Sequence, residues 1–244
     1  MADGVFITGT DTGVGKTLIA AGLAAVLQDQ GIDVGVMKPL ESGAPSFESS
    51  PIPRDALYLK EISGTNDDLD LINPYCFQAP LAPGVAAEHE GVEVDLQRIR
   101  GIYQELKDRH GFMVVEGAGG LLVPVARGRL LPELIKLLGL PLLLVARSSL
   151  GTINHTLLSL SFCRQEGLDV AGLIISKSTP DADPSEASNP QVIVQFSGVP
   201  FFGSLPYLRD YAGVKGNRDF LTQIFIQHID MEKLLKGLGL TSKP

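Results

Sequence analysis

The sequence Gly-Thr-Asp-Thr-Gly-Val-Gly-Lys-Thr at residues 9–17 decides the fold, because it lies between a short apolar run and a helical pattern. Its glycines allow the backbone to curl so that successive N–H groups point inward, and the helix that follows adds the positive end of its dipole. In this arrangement the Lys16 ammonium reaches the β- and γ-phosphates of a nucleotide, and the Thr17 hydroxyl binds Mg²⁺. The stretch therefore predicts a strand, a phosphate-binding loop and a helix, in that order.

Short apolar runs alternate with helical patterns along most of the chain. The predicted strands are residues 5–8, 34–38, 112–116, 141–146, 170–176 and 201–205. Two helical patterns each place four apolar residues on one face: Ile19, Leu23, Val26 and Leu27, and Leu131, Leu134, Ile135 and Leu138. Because the apolar runs are continuous rather than alternating, they are typical of strands covered on both sides. We expect an α/β fold with a doubly wound, mostly parallel sheet and helices on both faces, like that of P-loop NTPases.

Three stretches interrupt this alternation. Residues 42–54 are rich in Ser, Pro and Gly and predict a mobile loop, and residues 180–190 predict a second, polar loop. Residues 73–91 hold three prolines and predict an irregular segment or a covering layer. Residues 220–238 show helical spacing and are expected to pack back on the sheet. Since apolar runs and helical patterns alternate almost from end to end and no internal repeat is present, residues 1–244 are expected to form a single P-loop α/β domain.

Composition and charge narrow the class of protein. The chain has 244 residues, 44% of them hydrophobic, and a formal net charge of −8 with scattered Lys and Arg, so no nucleic-acid partner is expected. The apolar runs are far shorter than the roughly 20 residues of a membrane span, and no leader pattern precedes the first strand. Cys76 and Cys163 lie far apart in apolar surroundings and are expected to be reduced thiols. These features predict a cytoplasmic protein with no membrane partner.

Three charged residues lie where a predicted strand ends or a predicted helix begins. Glu116 ends the third apolar run, and the Gly-Ala-Gly-Gly after it allows close approach to a ligand. Lys38 ends the second run, and Asp55 opens a helical pattern. Because ligands of parallel sheets bind at the carboxyl ends of strands, Glu116 is a candidate Mg²⁺ ligand, and Lys38 is placed to neutralise a transferring phosphoryl group. Position alone leaves open a surface role for Lys38 and a helix-capping role for Asp55.

Taken in order, these motifs resemble those of the dethiobiotin synthetase family. They are residues 9–17, Lys38-Pro39 with Ser42-Gly43, Asp55-Ala56-Leu57, Asn73-Pro74-Tyr75, residues 116–120, and Gly151 with Ile153-Asn154-His155. The resemblance implies an ATP-dependent ligase. Such an enzyme carboxylates 7,8-diaminopelargonic acid with CO₂, phosphorylates the carbamate and closes the ureido ring to give dethiobiotin, ADP and phosphate.

The resemblance also implies roles for individual residues. Lys16 and Lys38 would be catalytic, and Thr17, Asp55 and Glu116 would hold Mg²⁺. ATP would be bound by Gly13, Val14, Gly15, Lys16, Thr17, Leu18, Asp55, Glu116, Gly117, Ala118, Gly119, Ser176, Leu205, Pro206 and Tyr207. The diamine would be bound at its nitrogen end by Thr12 and Ser42, and at its tail carboxylate by Gly151, Thr152, Ile153 and Asn154 of the partner subunit. A homodimer with active sites at the interface is thereby implied, and His155 is expected to be structural.

Two positions depart from the family pattern. Where the family usually has an asparagine that contacts adenine, this chain has Ser176, which lacks the paired donor and acceptor of an amide. We therefore expect other nucleoside triphosphates to serve besides ATP. The second departure is Gly13, where many members of the family carry an acidic side chain.

Three other classes of protein share part of the pattern. Partitioning and septum-site ATPases usually carry a lysine where this chain has Asp11, so the sequence disfavours that alternative. Amidating synthetases of the corrin pathway add a glutaminase domain with a catalytic cysteine, and neither Cys76 nor Cys163 has the context of a nucleophile. The sequence leaves open a non-catalytic nucleotide sensor, although such a protein would give no role to Lys38 or to the Gly151 turn.

Overall fold

The strands and helices alternate along the chain as the sequence predicts. The computed structural model describes residues 3–48, 50–208 and 217–240 of the expected domain 1–244. The strands are β1 (Gly4–Gly9), β2 (Val34–Met37), β3 (Leu40–Glu41), β4 (Ser46–Phe47), β5 (Ser50–Pro51), β6 (Tyr75–Cys76), β7 (Phe112–Gly120), β8 (Pro124–Ala126), β9 (Arg129–Leu130), β10 (Leu142–Arg147), β11 (Val170–Ser176) and β12 (Phe201–Leu205). The helices are α1 (Lys16–Asp29), α2 (Arg54–Ser63), α3 (Leu69–Ile72), α4 (Pro83–His89), α5 (Leu96–Arg109), α6 (Leu131–Leu138), α7 (Thr152–Glu166), α8 (Asn189–Ser197), α9 (Arg218–His228) and α10 (Met231–Gly237). Among these described helices, none is long and apolar enough to cross a membrane.

β1 lies where the strand order of the main sheet reverses. Within the described ranges this sheet has six strands in the order β12-β11-β10-β1-β7-β2, and each neighbouring pair is parallel. All six predicted strands are confirmed, and only their ends differ from the expected bounds. Because β10 lies on one side of β1 and β7 on the other, a crevice opens at their carboxyl ends. The loop that follows β1 enters this crevice.

Helices cover both faces of the sheet. Alternate residues of β1 point to opposite sides: Val5 and Ile7 pack in the same core as α1, α2 and α9, whereas Phe6 packs with α5 and α6. Towards β11, the second face is covered by α7 and α8. The expected doubly wound α/β arrangement is therefore confirmed.

α1 is buried around most of its circumference. Its four predicted core residues are buried, and so are the alanines on its other sides. The ring of Phe225 on α9 lies so close to Gly22 that a Cβ atom at this glycine would overlap with it. The stretch 220–238, expected to pack back on the sheet, does so as the two helices α9 and α10. The helix that begins at the phosphate-binding loop is thus fixed by packing on several sides.

The three interrupting stretches contain short elements without a periodicity of their own. The predicted loop 42–54 includes the β4–β5 hairpin, and residues 73–91 include β6 and α4. β3 and β6 pair over only two residues each in the described chain, so they depend on tertiary contacts. The predicted loop 180–190 contains a 3₁₀ turn, Pro184–Ala187. The expectation of irregular structure is therefore only partly met.

At the amino ends of β2 and β7, His110 joins two acidic residues. Its Nδ1 lies 3.0 Å from Asp33 Oδ1, and its Nε2 lies 2.7 Å from Asp67 Oδ2. Only the imidazolium form donates from both ring nitrogens. Burial lowers the pKa of His110, but the hydrogen bonds to both carboxylates outweigh burial and raise the pKa above its ordinary value. Asp67 also accepts a hydrogen bond from the Arg109 guanidinium at 3.0 Å, so interactions between charged side chains hold this end of the sheet together.

Candidate active site

The loop between β1 and α1 is shaped by two glycines in the left-handed region. Gly13 has φ 74° and Gly15 has φ 96°, conformations that side chains with a Cβ adopt at a cost. Gly15 is the N-cap of α1, and no side chain of the described residues caps the helix there. The first N–H groups of α1 therefore remain available to an anion. The geometry is that of a phosphate-binding loop.

Lys16 folds over this loop. Its Nζ donates to the carbonyl oxygen of Asp11 at 2.9 Å. Burial, together with the nearby Lys38 ammonium, lowers the pKa of Lys16 to about 8. The site thus holds a lysine whose charge is poorly compensated until an anion arrives.

Lys38 and Glu116 meet Asp55 and Thr17 where β2 ends, beside the middle of β7. Lys38 Nζ lies 2.5 Å from Glu116 Oε1 and 3.1 Å from Asp55 Oδ2, and the Thr17 hydroxyl donates to the same Glu116 oxygen at 2.9 Å. Lys38 is 3% and Glu116 1% exposed, so water screens their attraction little. Burial lowers the pKa of Lys38, but the carboxylates of Glu116 and Asp55 outweigh burial and raise it above its ordinary value. Lys38 is therefore a buried ammonium ion.

The same cluster presents oxygen atoms that fit Mg²⁺. Glu116 Oε2 is buried without a hydrogen-bond partner among the described residues, a state that an ion or ligand would relieve. The Thr17 hydroxyl and the Asp55 carboxylate lie in the same cluster. In the described part of the chain, no three His, Cys, Asp or Glu side chains gather to hold a metal ion alone. Mg²⁺ that binds with a triphosphate takes only one or two carboxylates from the protein, so this donor set suits it.

Glu41 is a buried acid at this site that the sequence analysis missed. It ends β3 and is 5% exposed. Its two carboxylate oxygens accept hydrogen bonds from the backbone N–H groups of Asp55 and Ala56, at 3.0 and 3.1 Å. Burial raises the pKa of Glu41 to about 6, and the two hydrogen bonds oppose that rise. The available signal was its position between Lys38 and Ser42, two residues that the sequence analysis had selected.

A cavity of about 830 Å³ at the crevice gathers most of the predicted site residues. The predicted residues that line it are Thr12, Gly13, Gly15, Lys16, Thr17, Leu18, Lys38, Ser42, Asp55, Glu116, Ala118, Gly119, Ser176 and Tyr207. Within the described chain, Val14, Gly117, Leu205 and Pro206 are not part of this wall. Val14 and Leu205 pack into the core. The structure thus brings most of the predicted nucleotide residues together with the predicted metal and nitrogen-end residues.

The wall also contains residues that the sequence analysis did not indicate. Besides Glu41, they are Pro80, Leu81, Ala82, Pro83, Val123, Lys177, Ser178 and Leu208. Residues 80–83 come from the stretch 73–91, which was expected to be irregular or to form a covering layer. Ser176 at the end of β11 adjoins the phosphate-binding loop, because a Cβ at Gly15 would lie 2.6 Å from its Oγ. The cavity therefore extends from the ends of β2 and β7, across the loop, to the ends of β11 and β12.

The Gly151 turn, the remaining part of the predicted site, lies apart from this cavity. Gly151, Ile153 and Asn154 line a separate hollow of about 500 Å³, and the described walls of the two cavities share no residue. Thr152 is fully buried at the start of α7. Leu150 and Leu158 beside the hollow are largely exposed. Within one chain, the turn is not brought to the other predicted substrate residues.

Two solved structures share this fold at low sequence identity. The MinC:MinD cell division protein complex of Aquifex aeolicus matches with a TM-score of 0.58 and 15% identity, covering 100% of this chain and 98% of that chain. A ParA family ATPase from Chlorobium tepidum matches with a TM-score of 0.53 and 16% identity, covering 99% and 95%. At such identities the likeness concerns the fold alone.

Sequence relatives match at higher identity over nearly the whole chain. A family model described as an AAA domain matches residues 3–215. A protein of Thermodesulfovibrio yellowstonii named ATP-dependent dethiobiotin synthetase BioD is 39% identical over 243 residues, covering 96% of this chain and 99% of the relative. A protein of the same name from Bacillus licheniformis is 45% identical over 235 residues, covering 96% and 97%. With this identity along its length and a phosphate-binding loop opposite a buried lysine, the chain belongs to the dethiobiotin synthetase family.

Proposed function

We propose that this chain is an ATP-dependent dethiobiotin synthetase, a ligase that forms carbon–nitrogen bonds. The observation that carries the proposal is Lys38, a buried ammonium held by Glu116 and Asp55 beside the phosphate-binding loop, in a member of this family. A fixed positive charge at this place stabilises the charge that develops as a phosphoryl group moves. Binding of a nucleotide alone would not require it.

The proposed reaction adds CO₂ to one amine of 7,8-diaminopelargonic acid and then closes a ring. The amine nitrogen attacks CO₂ and loses a proton, which gives a carbamate. A carbamate oxygen attacks the γ-phosphorus of ATP, the bond to ADP breaks, and a carbamic–phosphoric anhydride forms. The second amine attacks the carbonyl carbon and loses a proton as phosphate leaves, which gives dethiobiotin. Because each step joins bound reactants, the main task of the protein is to position them.

The two lysines of the cavity are proposed to neutralise charge at different points. Lys16 would exchange its contact with the Asp11 carbonyl for oxygens of the β- and γ-phosphates. Its low pKa supports this role, because a phosphate next to it would restore the protonated form. Lys38 would donate to the transferring phosphoryl group and to the carbamate.

Mg²⁺ is proposed to be held by Thr17, Asp55 and Glu116 together with phosphate oxygens. The unpartnered oxygen of Glu116 and the closeness of the three side chains support this assignment. When bound, the ion neutralises phosphate charge and orients the phosphates for transfer. Thr12 and Ser42, on the same cavity wall, are proposed to contact the nitrogen end of the diamine.

A homodimer is proposed to complete the site. The separation of the Gly151 turn from the cavity supports this, since the turn would serve the active site of a partner subunit. The exposed Leu150 and Leu158 beside the turn are suited to burial against a second chain. There the N–H groups in the first turn of α7, whose N-cap is Gly151 and which no described side chain caps, would bind the tail carboxylate of the diamine.

Two further proposals concern the chain as a whole. Residues 1–244 are proposed to form a single domain, which is supported by the packing of α9 and α10 in the same core as α1. A cytoplasmic location is proposed because the reaction consumes ATP and because Cys76 and Cys163 are free thiols, as is usual in a reducing compartment.

The reaction is tested with purified protein, 7,8-diaminopelargonic acid, ¹³C-bicarbonate, Mg²⁺ and ATP. We expect a product that gains one labelled carbonyl and loses two hydrogens relative to the diamine, detected by mass spectrometry. The Lys38→Met variant should lose most of this product, whereas Lys136→Met, which removes a surface lysine paired with Glu166, should keep it. ATP hydrolysis that ignores the diamine, with no labelled product, would refute the proposed function.

A further inference from the structure

The first turn of α2 is capped by a residue from another part of the chain. α2 begins at Arg54, and its N-cap position is Pro53, whose side chain cannot accept a hydrogen bond. The first N–H groups of a helix need partners from outside the helix. Glu41, 14 residues before Asp55 along the chain, supplies both carboxylate oxygens to this turn.

This cap is fixed to the body of the protein. Oε1 of Glu41 accepts from Asp55 N at 3.0 Å, and Oε2 accepts from Ala56 N at 3.1 Å. The carbonyl oxygen of Glu41 in turn accepts from Phe77 N at 2.8 Å, and β3 pairs with β6. Because the carboxylate is buried and bound at both oxygens, it holds the backbone of α2 in one place.

The residue placed by this cap is Asp55. Its side chain is 41% exposed, so packing alone does little to fix it. Its carboxylate nevertheless lies 3.1 Å from Lys38 Nζ, beside the oxygens of Glu116 and Thr17. A half-exposed carboxylate keeps such a position most easily when its own backbone is held.

We propose that Glu41 is a positioning residue of this active site: its carboxylate clamps the start of α2 and thereby places Asp55 on Lys38 and on the metal. The inference rests on the proposed function for the identity of the metal–nucleotide ligand. Glu41 acts through Asp55 and needs no contact with the reacting atoms. Loss of such an outer partner typically lowers metal affinity or activity by roughly 10–100-fold.

The test measures metal binding without turnover. Mn²⁺ is titrated in the presence of a non-hydrolysable ATP analogue and followed by electron spin resonance. We expect Glu41→Ala to weaken Mn²⁺ binding by about tenfold or more, and Glu41→Gln to weaken it less, since the amide oxygen still accepts one N–H. The control is Asp95→Ala, which removes the cap of α5 far from the cavity and should leave Mn²⁺ binding unchanged. Thermal unfolding shows whether each variant is folded. If Glu41→Ala does not fold, the comparison of Glu41→Gln with the wild type decides the test.

A double variant separates positioning from general weakening of the fold. If Glu41 acts through Asp55, adding Glu41→Ala to Asp55→Ala should not weaken Mn²⁺ binding further. Unchanged Mn²⁺ affinity in both Glu41 variants would overturn the proposal. So would an effect confined to the KM for the diamine, which would make Glu41 a substrate contact instead. Because Mn²⁺ binding is read without product, failure of the wild type to make dethiobiotin would refute the function while leaving the clamp intact.

Discussion

The Lys38–Glu116 pair gives the sharpest prediction about this site. Replacing Lys38 by Met removes the ammonium and keeps the length of the side chain. The Glu116 carboxylate, only 1% exposed, is then left with the Thr17 hydroxyl at 2.9 Å as its hydrogen-bond donor among the described residues. Breaking a buried ion pair in this way destabilises a protein by about 3–5 kcal/mol. We expect that loss for Lys38→Met, and expect Glu116→Gln in the same chain to restore most of it.

Urea denaturation at neutral pH, without nucleotide or metal, measures these free energies of unfolding. The matched control is Lys136→Met, which breaks a surface pair with Glu166 and should change stability by about 0–1 kcal/mol. A decrease in the free energy of unfolding of less than about 1 kcal/mol for Lys38→Met as well would refute this prediction, because the buried charge of Glu116 would then not need Lys38 to compensate it. The prediction is refuted as well if the double variant is no more stable than the single one.

Three further predictions concern stability and specificity. His110 has a folded-state pKa above its unfolded value of about 6.5, so its contribution to stability is full below about pH 6.5 and is lost as the pH rises through the folded pKa. Unfolding measurements across this pH range should show this loss of stability in the wild type and not in His110→Gln. A wild type whose stability does not fall over this range would contradict the prediction. In thermal unfolding, Gly22→Ala should destabilise the protein by about 1–3 kcal/mol, because the added methyl overlaps with Phe225. Gly101→Ala, whose added methyl has no described atom near it, should stabilise the protein by about 0.5–1 kcal/mol. If both variants changed stability in the same direction, the packing argument would be contradicted. With Ser176 in place of an amide, turnover with ATP, GTP, CTP and UTP should differ by less than about a hundredfold, far below the discrimination of a site that reads a base by paired hydrogen bonds, and a stronger ATP preference would overturn this expectation.

Most of the sheet could be predicted because its strands are continuous apolar runs. Such runs arise where both faces of a strand are buried, and right-handed crossovers between them then give a parallel, doubly wound sheet. The meeting of Lys38 and Glu116 was predictable for a related reason. Lys38 directly follows Met37 of β2, and Glu116 directly follows Val115, the residue of β7 that pairs with Met37, so the two side chains come together across neighbouring parallel strands.

The parts that could not be predicted depend on contacts distant in sequence. β3 and β6 are too short to show a period, and they form because Leu40 and Glu41 pair with Tyr75 and Cys76. The role of Glu41 follows from that pairing, since it is β3 that points this carboxylate at α2. Helix-capping rules search within a few residues of a helix start, and a cap 14 residues away escapes them.

The charges around Lys38 bear on how the nucleotide enters. Glu41, Asp55 and Glu116 bring three carboxylates near the ammonium groups of Lys16 and Lys38. A bare triphosphate would add several negative charges close to these three carboxylates, and burial strengthens that repulsion. A triphosphate that arrives with Mg²⁺ would bring the compensating charge and would also give the unpartnered oxygen of Glu116 a partner. The same acids that repel the free nucleotide therefore favour its metal complex, and Lys38 stays protonated because they surround it.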